Sequence, residues 1–221
     1  MTQANAQVQT QMLVLASRSP RRSDILREMG YAFVVDSADV DESVVAGESP
    51  RDHVLRMATT KCLRVAARHP HEDVVLAADT TVDVDGEIFG TPRDTEHARA
   101  MLRRLSGRTH LVHTAVCVAR GMHESSVSSA RGDAHDVALD TASVTMHTIA
   151  PDALERYLAT GESLDKAGAY ALQGGAGVFV RELHGERSTV VGLPMPLVRR
   201  MLDRHGVAHT ARGLSPDATR P

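Results

Sequence analysis

Tryptophan is absent from this chain, and aromatic residues of all kinds make up only 3% of it. A core must therefore be assembled from Val, Leu, Ala and Met, and the stacking platforms on which single-stranded nucleic acid rests are scarce. A basic excess is missing too: 25 Lys and Arg stand against 28 Asp and Glu, for a formal charge of −3 and a pI of about 6.4. Duplex binding draws on a broad positive field. Nucleic acid is accordingly not expected as a partner, and any anion site has to be local. There are two cysteines, Cys62 in a helical pattern and Cys117 in a strand-like one, without C-x-x-C spacing, so both are expected as small apolar core residues. No apolar run approaches the roughly 18 residues of a membrane span. Residues 1–11, MTQANAQVQTQ, lack the basic and apolar regions of a secretory signal. The expectation is a cytoplasmic protein with no membrane partner. The histidines are scattered, and His69-Pro70-His71 has no third partner nearby in sequence, so no metal is assigned to them.

What is present is enough for one good-sized domain: 221 residues with a 42% hydrophobic share. Residues 12–206 are read as that single domain, with polar tails at 1–11 and 207–221 read as disordered. The polar stretch at 121–135, GMHESSVSSARGDAH, has apolar alternation on both sides and is read as a β-hairpin loop. The pattern predicts strands at 12–16 and 31–35, helix 20–29, and a helix opened by Ser49-Pro50 and running to about 68. A buried strand at 74–78 should end at Asp79, and Asp85-Gly86 marks a tight hairpin turn. Helix 94–105 is capped by Asp94, strands follow at 110–120 and 134–148, and helices at 151–160 and 194–205. The fold class is α/β: a mixed central β-sheet flanked by helices.

Four stretches could carry chemistry. In LASRSPRR a strand meets a helix at Ser17-Arg18-Ser19-Pro20, with Arg21 and Arg22 in the first turn. Hydroxyls, free helix N–H groups and planar guanidinium forks could converge there on a phosphate. Equally, Ser19 could cap the helix and leave the arginines solvated, although cations at a helix N-terminus oppose its dipole. Asp79, at the carboxyl end of VVLAA, lies where open α/β sheets place ligands, which favours a metal-binding or catalytic role over a turn aspartate. DSADVDES, with Lys61 downstream, is either a solvated loop or a carboxylate source for Mg²⁺. In LDKAGAYALQGGAGVFV the glycines allow close backbone approach, yet match neither a Walker nor a Rossmann pattern, and Gln173 is either a base-edge contact or a turn residue.

Taken together, LASRSPRR, VDES, LAADTTV, GTPRD, LSGRTH, DKAGAYALQG and VVGLP, in this order from Leu13 to about Leu197, resemble the Maf-like nucleoside triphosphate pyrophosphatases, once described as septum formation inhibitors. The resemblance implies two lobes with a deep cleft, similar to the inosine triphosphate pyrophosphatase fold. It implies metal-dependent hydrolysis of a nucleoside triphosphate to the monophosphate and pyrophosphate, with Mg²⁺ or Mn²⁺ as the cation and a homodimer as an oligomeric state seen in the family. By the same resemblance Ser17, Arg21 and Arg22 bind the triphosphate, Lys61 is the family's helical lysine, and Glu42 and Asp79 hold the metal, with Asp79 as base. Arg22, Thr80 and Gln173 resemble the branch acting on dTTP and UTP. One position departs: where the family commonly has lysine before Pro-Arg-Asp, this chain has Thr91. Arg18 and Arg93 are the candidate sources of the missing charge. Two alternatives stand beside dTTP/UTP hydrolysis: a catalytically weak nucleotide-binding regulator of cell division, and a pyrophosphatase for other non-standard nucleotides.

Overall fold

A computed structural model describes residues 11–122 and 135–209 of the chain. The expected tails fall almost wholly, and the expected 121–135 loop largely, outside the described residues. The strands on either side of that loop, β5 (Thr109–Arg120) and β6 (His135–Met146), pair antiparallel with Ala119 opposite His135.

In chain order β1 (Leu13–Leu15) leads to α1 (Pro20–Glu28), opened by proline at its first turn, and then to β2 (Val34–Val35). β2 is shorter than the expected 31–35 because Tyr31 N–H still bonds back to Leu26 O at 3.2 Å, closing the helix end, and Tyr31 packs as a core residue. The second helix, α2 (Pro50–Ala66), is capped by the Ser49 side chain, which accepts from Asp52 N–H. β3 (Val74–Val84) turns into β4 (Glu87–Phe89) through Asp85 and Gly86, both with positive φ, as the tight turn requires. α3 (Thr95–Leu105) precedes β5 and is capped by Asp94; α4 (Pro151–Ala159) follows β6. Then come three short 3-10 turns, β7 (Val180–His184), α5 (Arg187–Val191) and α6 (Met195–Arg204). Neither β7 nor α5 was expected; five residues are too few to register a period.

The sheet runs β2-β1-β3-β5-β6-β7, with β4 on the far half of β3. β1 is parallel to β2 and β3, while every pairing from β3 onward is antiparallel. It is a mixed sheet flanked by helices, as the sequence pattern implied.

One expected boundary is corrected. The third strand does not stop at Asp79; it continues to Val84 because β5 pairs with it throughout, Asp79 lying opposite Ala115. What ends is the parallel neighbour. β1 pairs only as far as Leu15 opposite Leu76, so Asp79 lies just beyond the carboxyl end of the parallel portion.

The same strand joins two halves of the molecule. Leu76 and Ala78 pack with α1 and α6, Val75 and Ala77 pack with α2 on the opposite face, and Val82 and Val84 belong to a separate core with α3 and α4. Between these cores lies the triplet Asp79-Thr80-Thr81. Side chains alternate faces along a strand, so Asp79 continues the α2 face and Thr80 the α1 face.

Candidate active site

That alternation delivers two separate sets of contacts to one cleft of about 470 Å³. On the α2 face, Lys61 Nζ lies 2.6 Å from Asp79 Oδ1 and 2.7 Å from Glu42 Oε1. Lys61 and Asp79 each keep 13% of their side-chain surface, whereas Glu42, from the acidic connector, keeps 64%. The second carboxylate oxygen of Asp79, Oδ2, has no hydrogen-bond partner among the described residues.

On the α1 face, three of the five N–H donors of the Arg22 guanidinium are engaged by protein oxygens. Nε donates to Gly192 O at 2.9 Å, Nη1 to Ser17 Oγ at 3.1 Å and Nη2 to Thr80 Oγ1 at 3.2 Å. Gly192 has φ 113, and a Cβ there would come within 3.2 Å of Thr80 Oγ1, so the glycine of VVGLP is what lets this corner close. The proton directions behind Thr80 follow from the acceptors. Thr114 Oγ1 lies 2.7 Å from Thr189 O, which can only accept, so Thr114 donates there and takes the Thr80 hydroxyl proton across 2.9 Å. Burial lowers the Arg22 pKa, and the Asp79 charge opposes that drop.

The arginine loop resolves into parts. Ser19 occupies the N-cap position ahead of Pro20, but its side chain makes no capping bond and it lines the cleft. Ser17 is buried and spends its oxygen on Ser19 N–H and Arg22, so it braces Arg22 and is not among the cleft-lining residues. Arg21 lines the cleft and reaches across to Asp165 at 3.2 Å.

Thr91 and Gln173 are both exposed and both line the cleft. The glycines before and after Gln173 serve internal packing: Gly168 (φ 69) would bring a Cβ to 2.8 Å from Val82 Cγ2. The loop that carries Gln173 is anchored from outside, by Ala171 N–H donating to Tyr157 Oη at 3.1 Å and Gly175 N–H to Glu162 Oε2 at 2.9 Å. Neither candidate replacement for a charge at position 91 lines the cleft. Arg18 pairs with Asp39 on the exposed surface at 2.8 Å, and Arg93 is exposed beside α3.

Sequence reasoning missed five polar cleft residues: His53, Thr81, Asp165, Lys166 and Tyr170. His53 Nδ1 lies 3.0 Å from Glu48 Oε2, a carboxyl that the Arg56 fork holds down at about 2. Asp165 and Lys166 sit inside the DKAGAYALQG stretch, where the glycines drew attention and the two charges beside them did not.

The carboxylate pair suits a hard divalent cation. Mg²⁺ takes one or two carboxylates and completes its shell with water and phosphate oxygens. Glu42 and Asp79 are two carboxylates that could serve so, placed around a point where the Lys61 ammonium sits. No cluster of three or more His, Cys, Asp or Glu among the described residues forms a cage able to hold a metal without substrate.

The family model described as Maf-like protein matches residues 12–205. The chain belongs to the Maf family. Among its relatives, a dTTP/UTP pyrophosphatase from Anaeromyxobacter dehalogenans is 48% identical over 194 residues, covering 88% of this chain and 94% of the relative. Another relative, a dTTP/UTP pyrophosphatase from Methylobacillus flagellatus, is 45% identical over 197 residues, covering 89% of this chain and 94% of its own. The solved Ham1 protein of Staphylococcus aureus aligns over 88% of this Maf chain at 14% identity with a TM-score of 0.45. No helix among the described residues is long and apolar enough to cross a membrane.

Proposed function

We propose that this chain hydrolyses dTTP and UTP to the nucleoside monophosphate and pyrophosphate. The observation that carries the reading is the meeting, in one cleft, of Asp79, Lys61 and Glu42 with Arg21, Arg22 and Gln173. Membership of the Maf family, with relatives named dTTP/UTP pyrophosphatase, supports the same substrates.

Phosphoanhydride hydrolysis asks mainly for positioning and for neutralising charge on the departing phosphates. Arg22, held by three protein oxygens, is preorganised and needs no rearrangement during the reaction. Asp79 has one oxygen fixed by Lys61, which orients the carboxylate, and its Oδ2 accepts a proton from the attacking water. That water adds to the α-phosphorus, the bond from the α-phosphorus to the bridging oxygen breaks, and pyrophosphate leaves with its charge spread over the arginines. Glu42 and Asp79 would hold Mg²⁺ or Mn²⁺, which when bound supplies Lewis-acid neutralisation of phosphate charge. Gln173 presents an amide able to pair with the donor and acceptor edge of a pyrimidine.

The test is a panel of dTTP, UTP, CTP, ITP and 7-methyl-GTP with Mg²⁺ or Mn²⁺, read as pyrophosphate release. Metal-dependent release favouring dTTP and UTP is expected. Release from none of them, or a preference for the purines, would overturn the assignment.

A further inference from the structure

Among the described residues, four lysine and arginine side chains line the cleft: Arg21, Arg22, Lys61 and Lys166. Their commitments differ. Lys61 is bracketed by Glu42 and Asp79, and Arg22 is fixed by three protein oxygens, which leaves one N–H on each Nη. Arg21 and Lys166 share a single counter-ion, the Asp165 carboxylate, one cation to each oxygen: Arg21 Nη1 on Oδ2 and Lys166 Nζ on Oδ1. A carboxylate bridging two cations through its two oxygens has the shape of a phosphate bridging them through two non-bridging oxygens.

Lys166 is held in place independently of the Asp165 carboxylate, whereas Arg21 leans on Asp165 twice, through the carboxylate and, at 3.4 Å, through its main-chain O. Lys166 Nζ also donates to Glu162 O at 2.7 Å, and only 13% of its side chain is exposed. The turn that follows is docked on the wall carrying Thr91, because Gly168 N–H donates to Gly90 O at 3.1 Å. Asp165 itself is the loose member, with 65% of its side chain in solvent. Burial pushes the Asp165 carboxyl up, yet Lys166 and Arg21 together keep it below its ordinary value, so it is charged whenever the cleft is in use. An exposed carboxylate is held weakly and gives way to a multiply charged ligand at small cost.

We propose that Lys166 and Arg21 form a phosphate-binding pair for the substrate's triphosphate, and that Asp165 is an internal anion occupying the pair until substrate displaces it. The proposal rests on the nucleotide reading above and adds two residues to it. It also accounts for an uncharged Thr91 in this wall, since the positive charge is delivered by the neighbouring turn.

The experiment is calorimetric titration of the full chain with inorganic triphosphate, without divalent metal and at low salt, with a thermal melt of each variant beside it. Asp165→Asn removes the competing anion and is expected to tighten binding about tenfold, while Lys166→Met weakens it by at least about tenfold, the usual size of a charge-assisted bond. Lys166→Gln, which keeps an N–H donor but no charge, should weaken binding as Lys166→Met does, and Lys166→Arg should restore it. If both uncharged variants bind inorganic triphosphate as the wild type does, Lys166 is not a phosphate ligand. If Asp165→Asn binds no tighter, Asp165 is not a competitor, and either result overturns the proposal. A wild type that binds inorganic triphosphate yet releases no pyrophosphate from dTTP would instead sink the hydrolase reading and leave the pair standing.

Discussion

Lys61 donates to Asp79 across 2.6 Å, from the middle of α2 to the point on β3 where the parallel sheet has ended and the antiparallel sheet continues. The contact exists because the apolar stripe of α2 is seated on Val75 and Ala77, which places the next same-face residue of the strand, Asp79, beside the helix's polar edge. Packing of the core thus sets the orientation of the carboxylate.

Asp79→Asn should therefore abolish turnover while leaving the fold intact. Lys61 keeps Glu42 as a partner at 2.7 Å, so no cation is stranded in the cleft and the melting temperature should change little. Lys61→Met is the harsher change for stability, because it leaves two carboxylates facing each other without their cation. Pyrophosphate release from dTTP should fall in that variant by about two to three powers of ten, the usual effect of losing one preorganised charged group. A Lys61→Met protein of unchanged rate would remove Lys61 from the site.

Thr80 contacts Arg22, and its proton is already committed to Thr114. With its hydroxyl proton directed at Thr114, Thr80 is expected to affect substrate through the guanidinium. Thr80→Val should lower kcat/KM for dTTP and UTP together, by about tenfold for a bond to a charged group, with the ratio between the two unchanged. Thr114→Val, one step further back and out of reach of substrate, should give a smaller loss in the same direction. If Thr80→Val alters the ratio of dTTP to UTP turnover, Thr80 reads the base directly and the relay is incidental.

Most of the layout was legible in the sequence because the signals were local. Ser49-Pro50 and Asp94 announced two helices, Asp85-Gly86 a hairpin, and the ordered motifs the family. The long reach of β3 past Asp79 was not legible, since its pairing partner begins some thirty residues later at β5 and no pattern within VVLAADTTV reveals it. Lys166 and Asp165 stayed hidden for a similar reason. Their significance depends on Arg21, 144 residues away in sequence, and on the contact of Gly168 with Gly90. Ser17 was expected from the sequence to touch the triphosphate, whereas its contact with Arg22 appears only once both side chains are placed.

Gln173 owes its place to a loop fixed at two points, Tyr157 Oη on Ala171 N–H and Glu162 on Gly175 N–H. Gln173→Ala should reduce the preference for dTTP and UTP over CTP while leaving pyrophosphate release measurable, because the phosphate-binding residues are untouched. Glu162→Gln should move the preference in the same direction more weakly, since an amide oxygen accepts from Gly175 less strongly than a carboxylate. Full retention of the preference for dTTP and UTP over CTP in Gln173→Ala would contradict the base-pairing role.

His110 gives the fold a pH-dependent contribution to stability. The residue is 3% exposed, its Nε2 lies 2.8 Å from Tyr170 Oη, and its Nδ1 has no partner among the described residues. Burial holds the folded-state pKa down at about 4, against 6.5 in the unfolded chain. Between those two values the unfolded chain takes up a proton that the folded protein refuses, so this contribution to stability is fully present above pH 6.5 and is lost as pH falls through 4. The loss amounts to about 3 kcal/mol at most, on the scale of about 1.4 kcal/mol per pKa unit. Urea unfolding of the wild type should show its midpoint falling steeply over that interval. His110→Gln, which cannot titrate, should start less stable at pH 7.5 because it is a poorer fit to the buried site, and should lose less on acidification. A wild type and variant with parallel pH profiles would show that His110 does not titrate differently in the folded and unfolded states.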